Sequence, residues 1–125
     1  MIAGMSPHPT PGLWVFCTLP DRARAAALAP LAAAWVVEED GITLILPLDV
    51  AQAQGFDTAL PMARITLQVP SALDGVGLTA AVAGALAEAG IPCNMVAGWH
   101  HDHVYVPADR RDQALALLQA RAAAG

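Results

Sequence analysis

The stretch Ser71-Ala-Leu-Asp-Gly-Val-Gly-Leu-Thr-Ala-Ala-Val82 decides the fold, together with Gly90-Ile-Pro-Cys-Asn-Met-Val-Ala-Gly-Trp-His-His-Asp-His103. The first segment is typical of a small-residue loop that opens a helix. The second is typical of a strand, a tight turn and a returning strand. A helix N-terminus carries backbone N–H groups without intrahelical partners and a partial positive charge, so it is a natural seat for a carboxylate.

The same order of elements occurs twice in the chain. Strand, helix, hairpin and helix patterns run from Leu13 to Gln54 and again from Arg64 onward, and a proline follows the first strand of each half. This self-similarity predicts βαββα units duplicated in tandem, an α+β ferredoxin-like fold in which antiparallel sheets carry helices on one face. We expect a loose, proline-rich N-terminal arm at 1–12, a first half at 13–61 and a second half at 62–125.

Composition and charge narrow the class of protein. The chain has 125 residues, of which 56% are hydrophobic, so it is too apolar for a disordered protein. Part of its surface is expected to be buried in an oligomer, and an alanine-rich composition explains the high hydrophobic fraction equally well. Its net charge is −5 with only six Lys and Arg, which argues against nucleic-acid binding. No segment reads as a membrane span or a signal peptide, so we expect a cytoplasmic protein.

Two cysteines, Cys17 and Cys93, do not make a disulfide framework. Each lies in an apolar run, which favours a buried free thiol that packs as a small hydrophobic group. The sequence also lacks the common nucleophile, zinc-protease, P-loop and dinucleotide-binding motifs. We therefore expect no enzyme activity, no catalytic residues and no cofactor.

Two segments closely resemble the bacterial tandem ACT-domain proteins: Ile65-Thr-Leu-Gln-Val-Pro-Ser-Ala-Leu-Asp-Gly-Val-Gly-Leu-Thr-Ala-Ala-Val82 and Cys93-Asn-Met-Val-Ala-Gly-Trp-His-His-Asp-His-Val-Tyr-Val-Pro107. They are also similar to the ACT domains of eukaryotic arginine sensors and of aspartate kinases. The resemblance covers about residues 13–120. This chain differs from the family at its short proline-rich N-terminus and at Asp74-Gly75, where the family often has Glu-Ala.

The resemblance implies an amino-acid site at the loop before the second-half helix. Backbone N–H groups around Val76, Gly77 and Leu78 would receive the α-carboxylate, Gly75 would allow close approach, and Asp74 would accept from the ammonium group. The alternative is a plain helix cap in which Asp74 is the capping residue.

Asn94 and Met95 are the second part of the expected site. A polar Asn in an apolar strand is unusual, so its amide is expected to meet a ligand across the interface between halves or subunits. A hydrogen bond from Asn94 to a neighbouring backbone edge explains the residue equally well.

The cluster His100-His101-Asp102-His103 raises the question of a metal. Two histidines that share one strand face can ligate zinc, but a site needs three or four ligands. A polar hairpin tip with Asp102 in the turn is the favoured interpretation, so no metal is expected.

The sequence as a whole predicts a small regulatory protein that binds an amino acid at an interface between ACT halves or subunits. Binding would shift its conformation or assembly, a regulated protein partner would read the change, and the chain would form a homodimer or a higher homo-oligomer. Two alternatives stay open at this point. One is a ligand-free dimerisation module, and the other is a metal-dependent enzyme that uses His100, His101 and His103.

Overall fold

A computed structural model describes residues 5–68 and 76–124. The chain divides into two compact units, and the division lies between Pro61 and Met62. The first unit is Gly12–Pro61. The second unit runs from Met62 and also takes in the N-terminal segment as far as Pro11.

The first unit contains three strands and two short helices. In chain order its elements are β2 (Trp14–Leu19), α1 (Arg22–Leu28), β3 (Ala34–Glu38), β4 (Gly41–Pro47) and α2 (Leu48–Ala53). Strand β4 lies between β2 and β3 and is antiparallel to both. One face of this sheet packs against the helices. Alternate residues of β2 and β4 join Ala25, Leu28 and Ala51 in one buried cluster, as period-2 patterning requires.

Local sequence explains where α1 begins and ends. Asp21 is its N-cap, because the side-chain Oδ1 accepts from the backbone N–H groups of Ala23 at 2.9 Å and Arg24 at 3.2 Å. The helix ends at Leu28 and a 3₁₀ turn over Ala29–Leu31 follows. This is the break that Pro30 predicts, since proline cannot supply the N–H that a continuing α-helix needs.

The described residues of the second unit form four strands and two longer helices. Its elements are β1 (Pro7–Pro9), β5 (Met62–Leu67), α3 (Leu78–Glu88), β6 (Asn94–Ala97), β7 (Asp102–Pro107) and α4 (Arg111–Ala124). Strand β7 pairs antiparallel with β5 and β6, and β1 pairs antiparallel with β5. The chain therefore forms the expected α+β ferredoxin-like units in tandem.

The N-terminal segment differs from the loose arm that its prolines predicted. His8 lies opposite Thr66 in the register of β1 and β5, and the backbone N–H of Thr10 donates to the Arg64 carbonyl at 2.9 Å. Pro7 and Pro9 fall at the alternate positions between these bonds, so their missing N–H groups cost the β1–β5 ladder nothing. A βαββα pattern contains three strands, and the N-terminal segment adds a fourth to the sheet of the second unit.

The apolar core of the second unit lies between its sheet and its helices. Completely buried residues alternate along β5 and β7, and α3 and α4 bury one stripe each: Ala63, Ile65, Leu67, Val104, Val106, Val82, Leu86, Ala114 and Leu118. Arg110 also ties the two helices together, because its guanidinium donates to the Ala89 and Gly90 carbonyls at the end of α3. Among the described residues, no helix is both long and apolar enough to cross a membrane.

Candidate functional site

Among the described residues, no side chain caps the N-terminus of α3. Gly77 is the N-cap residue, with φ at 105° in the left-handed region, and it makes no side-chain cap hydrogen bond. Val76 before it is 96% exposed, and Leu78 in the first turn is half-buried. A glycine with positive φ turns the chain into the helix without placing a Cβ there. Within residues 5–68 and 76–124, the first backbone N–H groups therefore have no side-chain cap. Asp74 and Gly75 lie outside the described residues.

The corresponding helix of the first unit differs at this point. α1 begins at a carboxylate of the protein itself, that of Asp21, which accepts from two N–H groups of the first turn. A side-chain carboxylate and a ligand carboxylate compete for the same donors. In the part of the chain that the structure describes, α1 has a side-chain cap and α3 has none.

Asn94 and Met95 lie on opposite faces of β6. Asn94 is exposed and pairs in register with Tyr105, whereas Met95 is half-buried and pairs with the core residue Val104. Asn94 is thus on the opposite face of the sheet from Val104, although its partner Tyr105 is also buried. Its contact with a ligand across an interface between halves or subunits stays a prediction.

The histidine cluster lies at and beside the β6–β7 hairpin tip. His100 is exposed in the connection, Asp102 is buried at the start of β7, and the hydroxyl of Thr66 is 2.9 Å from Nδ1 of His103. Burial lowers the pKa of His103 below its ordinary value, and the nearby charges of Arg64 and His101 lower it further. Among residues 5–68 and 76–124, no three His, Cys, Asp or Glu side chains are grouped to hold a metal ion.

Both cysteines are free thiols, and the structure agrees with the packing role predicted for them. Cys17 is buried in the core of the first unit, and Cys93 is half-buried before β6. Burial raises the pKa of both thiols. A thiol with a raised pKa is mostly protonated at neutral pH and is a poor nucleophile.

Two polar residues of the second-unit sheet were not predicted from the sequence. Arg64 and Thr66 lie on the same face as His103 in the β5–β7 register. The signal that could have found them is the alternation in Met62–Leu67, where they interrupt an otherwise apolar strand. That pattern places polar side chains on the second face of the sheet, where Thr66 is nevertheless buried.

Comparison with known proteins identifies the family. The ACT-domain family matches twice, over residues 1–63 and over residues 61–120. A solved protein of unknown function from Vibrio cholerae, described as a possible transport protein, is 39% identical, with a TM-score of 0.85 over 94% of this chain and 88% of that one.

The chain belongs to the ACT-domain family.

Other solved structures share the ACT fold at lower identity. An Agrobacterium tumefaciens protein is 19% identical, with a TM-score of 0.76 over 93% of this chain and 87% of that one. The regulatory subunit of aspartate kinase from Thermus flavus is 16% identical, with a TM-score of 0.58 over 86% of this chain and 89% of that one. The comparison with curated proteins gives no match.

Proposed function

We propose that this protein is a non-catalytic regulator that binds a free amino acid through the open N-terminus of α3. The observation that carries the proposal is the left-handed Gly77 N-cap, where no side chain of the described residues caps the first turn. Membership of the ACT-domain family supports a regulatory role, and similarity in fold to the regulatory subunit of an aspartate kinase agrees with it. The cytoplasm is the proposed location.

The ligand's α-carboxylate would accept hydrogen bonds from the backbone N–H groups of Val76, Gly77 and Leu78. The positive end of the 11-residue helix α3 would stabilise its charge. Gly75 would keep the approach open and Asp74 would accept from the α-ammonium group. One ligand per chain is expected, because the N–H groups at the start of α1 already bind Asp21.

Asn94 would meet the ligand from a neighbouring copy of the chain, whereas Met95 lies on the opposite face of β6. Asn94 is exposed at the start of β6 and is directed away from the core of its own unit. Its amide has both donors and acceptors, so it matches either end of an amino acid. A site completed in this way makes binding and assembly reinforce each other, since a ligand that binds only the assembled form stabilises it. A regulated protein partner would read that change.

The edge of the first-unit sheet supports self-association. Strand β3 pairs with β4 on one side, and Trp35, Val36 and Val37 are 39%, 49% and 51% exposed. An apolar edge strand without lysine or proline is a template for pairing with another strand. We assign this edge to contact with a second copy of the chain, which gives a homodimer or a larger homo-oligomer.

The test is thermal unfolding of the purified protein against each common amino acid. A ligand at about one hundred times its dissociation constant adds about 2.7 kcal/mol to the free energy of unfolding. The proposal expects a rise of several degrees with one or two amino acids. Gly77→Ala should abolish that rise, while Gly84→Ala, within the same helix, should keep it. A panel that leaves the unfolding temperature unchanged would favour a ligand-free association module.

A further inference from the structure

The outer edge of β3 has backbone groups available for a further strand. Among the described residues, β3 is hydrogen-bonded to β4 on one side only. Glu38 and Gly41 face each other across a two-residue turn, so they form a hydrogen-bonded pair, and such pairs alternate along an antiparallel ladder. The N–H and C=O groups of Trp35 and Val37 therefore point away from β4.

The side chains of β3 are accessible on both faces of the sheet. Trp35 and Val37 lie opposite the core residues Leu44 and Ile42, yet they are 39% and 51% exposed. Val36 lies on the other face and is also about half exposed. Indole and β-branched side chains are typical of strands that have neighbours on both sides, and here they lie along an edge. A further strand would cover all three side chains.

The second unit has an edge strand of a different character. Among the described residues, β6 also pairs on one side only, with β7, and it has four residues against five in β3. It begins at the exposed polar Asn94, and its apolar residues Met95 and Val96 are half-buried. Pro92, just before it, has no N–H to donate. The β3 edge is therefore the better template for another strand.

The charges at the two ends of β3 favour one orientation of a second copy. Glu38 ends the strand and is followed by Glu39 and Asp40, whereas alanines occupy 32–34 at its start. A parallel copy would align like charges side by side, which is destabilising. An antiparallel copy places the carboxylates beside uncharged alanines. The Thr43 hydroxyl also donates to Oε1 of Glu38, which draws this carboxylate towards β4 and away from the edge.

We propose that β3 pairs antiparallel with β3 of a second copy of the chain, about a two-fold axis at Val36. The inference rests on the self-association proposed above and specifies its geometry. Trp35 of each copy lies opposite Val37 of the other, and the two residues exchange both of their backbone hydrogen bonds. The indole then packs against a β-branched side chain, which is a favourable cross-strand pair.

The position of the axis follows from the length of the strand. An axis at Val36 matches all five residues of Ala34–Glu38 with residues of the same strand in the other copy. An axis at Trp35 or at Val37 would leave two residues of each β3 opposite the segments that flank it. Because each copy contributes the same edge, the contact is closed and gives a dimer.

The experiment is intermolecular disulfide formation in the full-length protein, with Cys93→Ser to remove the half-buried native thiol. The two Val36 residues would form a non-hydrogen-bonded pair with Cα atoms about 4.5 Å apart, a separation that a disulfide spans. Val36→Cys should therefore give a covalent dimer in non-reducing electrophoresis. Val37→Cys is the matched control. Its two copies would be more than about 7 Å apart, so it should give at least tenfold less dimer.

Sedimentation of the wild-type protein separates this pairing from self-association in general. A wild-type dimer without a cross-link in Val36→Cys, or with equal cross-linking in Val37→Cys, would overturn the pairing and place the proposed association on another surface. A wild-type protein that stays monomeric at every concentration would overturn both.

Hydrogen exchange followed by NMR tests the same pairing without any substitution. The amides of Trp35 and Val37 should exchange at least tenfold more slowly in concentrated than in dilute wild-type protein, because they become hydrogen-bonded only in the dimer. The amide of Val36, which is directed to β4 in either state, should not change. Equal exchange of the Trp35 and Val37 amides in a sample that sediments as a dimer would overturn the pairing.

Discussion

Two glycines of α3 provide a matched pair of substitutions with opposite expected effects. Gly77 is the N-cap with φ at 105°, whereas Gly84 lies in the exposed helix interior and a Cβ added there meets nothing within 4 Å. An alanine in the left-handed region costs about 1–2 kcal/mol. The smaller entropy of its unfolded chain returns about 0.4–1 kcal/mol. Gly77→Ala should therefore lower the free energy of unfolding by about 1 kcal/mol.

Gly84→Ala should instead raise the free energy of unfolding by about 0.5–1 kcal/mol, because alanine is the better residue in a helix interior. The two variants should then differ by about 2 kcal/mol in urea unfolding, and by roughly 8 °C in unfolding temperature for a chain of this size. Equal stabilities for the two variants would refute the left-handed N-cap at Gly77. The argument for an open helix N-terminus would fall with it.

Four further outcomes follow from single contacts. Asp21→Ala should cost about 1 kcal/mol in urea unfolding, because α1 loses its N-cap hydrogen bonds, and an unchanged midpoint would contradict that role. His103 has a lowered pKa in the folded state, so stability should fall as the pH drops below 6.5 and the unfolded chain takes up the proton first. His103→Gln should flatten this part of the urea midpoint–pH curve, and an identical slope would exclude His103 as its cause. Cys17 and Cys93 have raised pKa values, so iodoacetamide should label them slowly in the native protein and quickly in urea, and fast native labelling by mass spectrometry would contradict the burial. Val36→Lys should reduce self-association in analytical ultracentrifugation by charging the β3 edge, and an unchanged mass would place the contact elsewhere.

Much of the fold follows from local signals in the sequence. Pro30 marks the end of α1, Asp21 marks its start, and the Asp40-Gly41 dipeptide marks the β3–β4 turn. Each of these signals extends over only a few residues, so the periodicity of apolar residues and the turn-forming residues are sufficient to predict these elements. Duplication of the βαββα order is visible for the same reason.

Non-local pairing explains the parts that local signals missed. The Pro7–Pro9 strand forms because it pairs with β5, more than fifty residues later, in a register whose hydrogen bonds fall between the prolines. Its own composition predicts a loose arm. In the same way, the side of the sheet on which Asn94 lies depends on its register with Tyr105. A one-residue shift would reverse that side.

The candidate site could be predicted from the sequence only in part, because some of its contacts also depend on non-local strand pairing. The open start of α3 depends on a loop glycine next to a helix, which sequence shows directly. The contact between Thr66 and His103 depends on the register of β5 with β7, which brings together residues 37 positions apart. No single window of sequence contains that arrangement.

The most direct test of the central claim is amide NMR of the protein with the amino acid that most raises its unfolding temperature. A carboxylate held at the start of α3 should shift the amide protons of Val76, Gly77 and Leu78 downfield in a saturable manner. The amides of Ala23 and Arg24, which already donate to Asp21, should stay in place. Saturable binding that leaves the α3 amides unmoved would show that the ligand lies elsewhere and would contradict the account.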